Sequence, residues 1–205
     1  ESIRDARYEV LVSTMWYESD LNLDSPGAVV ASAVADLYRQ VKENPDRYPR
    51  GMTVRILLGN PPEVVMDETG DQLWSVLNDL RNAGVDEMSN PDIGWQVEAA
   101  NFEGFMPHSH SKMLIVDGKR VVAAGFNFEY YHFPINHPSG LGEDRWDMAM
   151  QVSGPVAQDA MQAFDDLWQG SNGRTCNFHP SFEIGWETTC RNYPVTAIHT
   201  PEVLK

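Results

Sequence analysis

The sequence predicts an α/β protein in which a mixed, mostly parallel sheet is sandwiched by helices. Three observations predict this class. Short runs rich in Val, Ile and Leu alternate with longer stretches whose apolar residues recur every three to four positions. Stop residues such as Gly59-Asn-Pro-Pro62 and Gly84 separate the two kinds of stretch. Late in the chain, two apolar runs flank Asp117-Gly118, the signal of a tight hairpin.

Each element is justified locally. Ser2 to Arg7 reads as the end of a helix, and Tyr8 to Trp16 as a strand centred on Val10, Leu11 and Val12. Pro26 to Val41 carries helical periodicity, with Pro in its first turn. Met52 to Leu58 is a second strand. Thr69 to Ala83 is a helix with Leu73, Val76, Leu77 and Leu80 on one stripe, stopped by Gly84. Ile93 to Ala99 is a third strand, and 111–117 and 120–126 form the hairpin. Asp147 to Ser153 is a further strand and Pro155 to Trp168 a closing helix. Residues 1–169 form one domain on this reading. Residues 170–205 hold Pro, aromatics and both cysteines with little periodicity, as a loop-rich extension or linker does.

With 205 residues the chain can bury a sizeable core, and no apolar run approaches the ~20 residues of a membrane span. The net charge of −15 opposes non-specific binding to polyanions, so nucleic acid is disfavoured as a partner. Glu1 in place of Met suggests a processed or trimmed start. Paired, Cys176 and Cys190 would close a loop worth about 3 kcal/mol and imply secretion or another oxidising compartment; two free thiols are the alternative. Their spacing makes a poor zinc site, and no metal is expected.

The chemistry is concentrated in one stretch. His110 and Lys112 are two apart on a strand, so their side chains leave from the same face. The hairpin returns the chain to Asn127 at the same sheet edge. An imidazole, an ammonium and a carboxamide then converge, a set suited to gripping and attacking a phosphodiester. His110-x-Lys112-x4-Asp117-x6-Ala124-Gly125-x-Asn127 resembles the HKD motif of the phospholipase D superfamily. Where the family has Gly-Ser this chain has Ala124-Gly125, so a hydroxyl is absent there. The resemblance covers residues 2 to 169 and implies an α/β/α half of the family fold.

The resemblance also implies a mechanism without cofactors. One His attacks phosphorus to form a phosphohistidine, a second protonates the leaving group, and Lys and Asn hold the phosphoryl oxygens. Asp147, on the strand after the motif and before Gly154-Pro155, matches the family carboxylate that orients the His. Asp117 belongs to the motif, and as a turn Asp before Gly it reads as a structural cap of its own hairpin. His108 shares the strand face of His110, as a pocket residue or as an exposed polar side chain. Phe126 and Phe128 are core residues or part of an aromatic rim for acyl chains. Trp16 sits where sheet-edge ligands bind in open α/β folds, or simply packs.

The family scheme needs two such motifs, and no second His-x-Lys occurs in this sequence. The chain therefore supplies one half-site, completed by another chain or by a second copy of itself. The resemblance implies a phosphodiesterase that cleaves or transfers the phosphatidyl group of phospholipids. The alternatives are a homodimeric nuclease of the superfamily and a catalytically silent half-domain that acts as a binding module.

Overall fold

The computed structural model describes residues 2–19, 24–59, 72–102, 109–169, 171–175 and 191–194. Strand β1 (Glu9–Thr14) is buried along its whole length. It lies at the centre of the sheet, which is why its sequence is a continuous apolar run rather than an alternation. β2 (Met52–Leu58) pairs with it in parallel, and β4 (Trp95–Phe102) pairs with β2 in parallel. On the other side β5 (Met113–Val116) runs antiparallel to β1, followed by β6 (Arg120–Ala124) and the edge strand β7 (Ala149–Ser153).

The α/β class is as expected, and the sheet is mixed. Parallel pairing is confined to β1–β2–β4, where helical crossovers return the chain to the same edge. Every other pairing between strands among the described residues is antiparallel, and one isolated parallel bridge joins Tyr17 to Phe128. The sheet also runs past residue 169. β8 (Ser171–Thr175) pairs with β4 and β9 (Arg191–Pro194) with β8, so two segments of the expected loop-rich extension are strands. Cys176 and Cys190 lie outside the described residues. A two-residue strand, β3 (Ser89–Asn90), pairs with the start of β4. β4 begins two residues later than periodicity suggests, because Pro91–Ile93 is a 3-10 turn ended by Gly94 at φ 67°.

Helix α1 (Pro26–Glu43) starts where Ser25 accepts the Ala28 N–H at 3.1 Å, with Pro26 supplying a pre-set first turn. Together with α2 (Gln72–Ala83) it covers Val10, Val12, Val54, Ile56 and Val97 on one sheet face. α3 (Val156–Gln169) brings Met161, Phe164 and Trp168 against Leu11, Leu57 and Ile115 on the other. α3 reaches Val152 of β7, while Met150 on that strand and Met148 just before it are 67% and 83% exposed.

The amino-terminal residues form turns, not the end of a helix. The amides a helix would use are bonded elsewhere. Arg7, Tyr8 and Glu9 N–H groups donate to the Asp117 carboxylate at 2.9–3.1 Å, and the Tyr8 hydroxyl donates to the Asp117 carbonyl. Asp117 is thus structural, but through bonds across more than a hundred residues rather than through a local cap. Its φ of 54° and that of Gly118, 55°, put both in the left-handed region that a tight hairpin turn requires. Removing the Asp117 carboxylate leaves three amides without an acceptor. Asp117→Ala is expected to cost roughly 2–3 kcal/mol, read as a lowered urea midpoint at unchanged m-value.

Candidate functional site

Three strand ends meet at one edge of the sheet. The register Val12↔Leu114 and Ser13↔Met113 brings the end of β1 beside the start of β5. The Ser13 hydroxyl donates to the Ser111 carbonyl at 2.9 Å, and the Ala124 N–H donates to the Lys112 carbonyl at 3.1 Å. Beyond the end of β2, the backbone of Gly59 accepts the Ser109 N–H at 3.2 Å. A Cβ on residue 59 would sit 2.1 Å from the Ser109 carbonyl oxygen, so only glycine lets these backbones meet.

His110 is exposed and Lys112 is buried at this edge. Lys112 Nζ lies 3.1 Å from His110 Nδ1 and donates to the His110 carbonyl at 3.1 Å. An ammonium only donates, so Nδ1 is the acceptor and a neutral His110 ring carries its proton on Nε2. Burial lowers the Lys112 pKa from the ordinary lysine value, and the charges of Glu129 and Asp147 partly offset that.

Asn127 is buried beside them. Its Nδ2 donates to Glu129 Oε2 at 2.6 Å, and the Tyr131 hydroxyl donates to the same oxygen. The carboxylate fixes which way the amide faces and leaves Asn127 Oδ1 buried with no hydrogen-bond partner among the described residues. The Tyr131 phenol is pushed up to about 12 by burial, then by the hydrogen bond to Glu129 and the Glu129 charge. Sequence reasoning does not single out Glu129, and it takes Tyr131 only as one of the aromatics that follow the hairpin. The one signal was their spacing of two from Asn127, which puts 127, 129 and 131 on one side of an extended chain.

Asp147 follows the loop that links Asn127 to β7. Its Oδ1 accepts the Met148 N–H at 2.7 Å, and a Cβ on residue 125 would lie 2.0 Å from that same oxygen. The Asp147 carboxylate thus fills the space that a serine side chain at 125 would need, which accounts for the glycine in this chain. Asp117 lies past the opposite end of β5 from His110 and takes no part at this edge. His108 lies outside the described residues. Trp16 accepts the Phe128 N–H at 3.3 Å and so ties the end of β1 to the segment carrying Asn127.

Phe126 and Phe128 separate two cavities. One, of about 160 Å³, runs between Val12, Val30 and Leu114 to Lys112. The other, of about 470 Å³, opens between the first turns of α1 and the loop 126–147, with Asn127, Glu129 and Asp147 on its wall. Trp16 lines neither. Among the described residues no group of three or more His, Cys, Asp or Glu is placed to hold a metal ion. The buried triad makes a measurable claim: in Glu129→Ala the Tyr131 phenol should titrate below the wild-type value of about 12, while burial still holds it above an ordinary tyrosine. Carbon-detected NMR of the tyrosine ring reads this directly.

No protein-family model and no curated protein matches the chain. Among solved structures, it is similar to NucT from Helicobacter pylori at 13% identity, over 83% of this chain and 84% of that one, with a TM-score of 0.51. It is similar to Nuc from Salmonella typhimurium, described as a phospholipase D family member, at 15% identity over 94% and 86%, with a TM-score of 0.47. Phosphatidylserine synthase from Haemophilus influenzae matches at 12% identity and a TM-score of 0.45, over 98% of this chain but only 36% of that one. At these identities the likeness is one of fold, and the fold this chain shares is that of NucT.

Proposed function

We propose that the chain is a phosphodiesterase of the phospholipase D type that uses His110 as its nucleophile and acts on phospholipids. The observation that carries this reading is the buried ammonium of Lys112 at 3.1 Å from the exposed imidazole of His110, with Asn127 at the adjoining strand end. In this scheme a phosphoryl oxygen draws Lys112 away from Nδ1. The proton then moves to Nδ1, where Asp147 receives it as a hydrogen bond, and Nε2 is freed to attack phosphorus. The alkoxide leaves with a proton from a second imidazole. Water or an alcohol resolves the phosphohistidine, which separates hydrolysis from transfer.

The second imidazole comes from a second copy of the chain. The sheet edge at β7 supports this reading, since Met150 on the strand and Trp146 and Met148 just before it are exposed. The apolar character of the two cavities and the net charge of −15 favour a lipid over a nucleic acid.

His110→Ala is expected to abolish turnover of bis-p-nitrophenyl phosphate and the acid-labile phosphoenzyme; retained turnover would remove the nucleophile from the scheme. Sedimentation should give a dimer whose disruption by charge at Met150 (Met150→Glu) lowers turnover in step. Orthovanadate binding reads Lys112. Because burial lowers its pKa, the ammonium is lost at a lower pH than an ordinary lysine, so vanadate affinity should fall as pH rises toward the alkaline range. Lys112→Ala should bind vanadate weakly at every pH, and an unchanged affinity would exclude Lys112 from the site.

A further inference from the structure

The carboxylate of Glu129 is a charged group at this edge to which the phosphohistidine scheme gives no task. Glu129 is 8% exposed, and its Oε2 accepts the Asn127 Nδ2–H at 2.6 Å together with the Tyr131 hydroxyl. Both are donors of the kind an anion takes up, and a carboxylate oxygen already sits on them.

Hydrogen-bond geometry then limits how a phosphoryl oxygen reaches Asn127. The carboxamide NH2 carries two N–H groups that diverge by about 120° in one plane. One is engaged by Glu129. An oxygen on the other, at an ordinary hydrogen-bond length, would stand about 5 Å from Oε2. An oxygen on the first would have to expel a buried carboxylate from both of its donors. On either route the ligand meets the charge of Glu129 at close range and away from bulk water.

Little offsets that charge. Lys112 is the ammonium set against it, and Lys112 already stands in the field of both Glu129 and Asp147. Arg145, over the Tyr131 ring at 4.3 Å, is paired with Glu143 at 2.7 Å. Coulombic repulsion is proportional to the charge on the ligand, so a doubly charged phosphate monoester is opposed about twice as strongly as a singly charged diester.

We propose that Glu129 is a specificity-determining residue, whose buried carboxylate, seated on Asn127, admits a singly charged phosphodiester and turns away doubly charged monoesters. It acts through its charge and through the donor it occupies, and touches no reacting atom. Hydrolysis of a diester yields a monoester, so the same charge favours release of the phosphorylated product. The role in substrate choice rests on the phosphodiesterase reading; the preference among anions is a binding property of its own.

Calorimetry on the whole chain tests this with two anions that contain no ester bond. At mildly alkaline pH phenylphosphonate carries two charges and methyl(phenyl)phosphinate one, a methyl group replacing one oxygen. Wild type should bind the phosphinate at least about tenfold tighter than the phosphonate. Glu129→Gln keeps an acceptor for Asn127 and Tyr131 and removes the charge. It should bring the preference to about twofold or less by tightening the phosphonate. A residue that only braced the loop would weaken both anions together when replaced. Equal binding of the two by wild type, or no binding of either, overturns the proposal without any variant. A preference unchanged in Glu129→Gln, an equal loss of both anions in that variant, or full binding in Lys112→Ala would overturn it as well. The preference without turnover of bis-p-nitrophenyl phosphate by wild type would sink the catalytic reading and leave the role of Glu129 standing; turnover without the preference would do the reverse.

Discussion

The register between β1 and the β5–β6 hairpin is the constraint on which the site depends. Side chains alternate along a strand, so a slip of one residue would carry Lys112 to the α3 face and away from Asn127. The apolar residues of β5 alone do not fix that register strongly, because the strand is only four residues long. The carboxylate of Asp117 does so from the far end. By collecting the amides of Arg7, Tyr8 and Glu9 it can be satisfied in one alignment only, and a slip would leave a buried charge facing the wrong backbone. A residue remote from the chemistry thus positions it.

Much of this architecture is legible in the sequence because burial imposes period. β2 is Met52–Leu58 as its apolar run indicates, and α1 starts at Pro26, as a Pro in its first turn suggests. The hairpin follows from the Asp117-Gly118 signal between two apolar runs, and the place of Asp147 is what the family resemblance implies. What escapes such reading is whatever depends on a distant partner. Ser171-Asn-Gly-Arg-Thr175 has no apolar pattern and becomes a strand because β4 offers it an open edge. The opening residues look helical until their amides are taken by Asp117. Glu129 looks like any solvated acid; only the folded loop shows that it is buried and holds Asn127 and Tyr131 together.

The electrostatic character of the site is set by how few cations it contains. Burial lowers the Lys112 pKa, and the side chain shares its surroundings with two carboxylates. In a polyanion-binding protein one expects the reverse, a surplus of Lys and Arg tracking the phosphates. The negative balance of this edge matches that of the whole chain, at −15, so neither long-range steering nor local contact rewards a chain of phosphates.

Gly125 and Asp147 occupy one small volume between them, with 2.0 Å between a would-be Cβ and the carboxylate. The two positions are consequently not independent in any sequence that adopts this arrangement. A hydroxyl at the first demands a shorter or displaced side chain at the second, while a carboxylate seated as Asp147 is seated here forbids the hydroxyl. A search pattern that insists on the serine would pass over chains of this kind, although their imidazole, ammonium and carboxamide stand at the same strand ends. The pair, read together, is a better signature than either position alone.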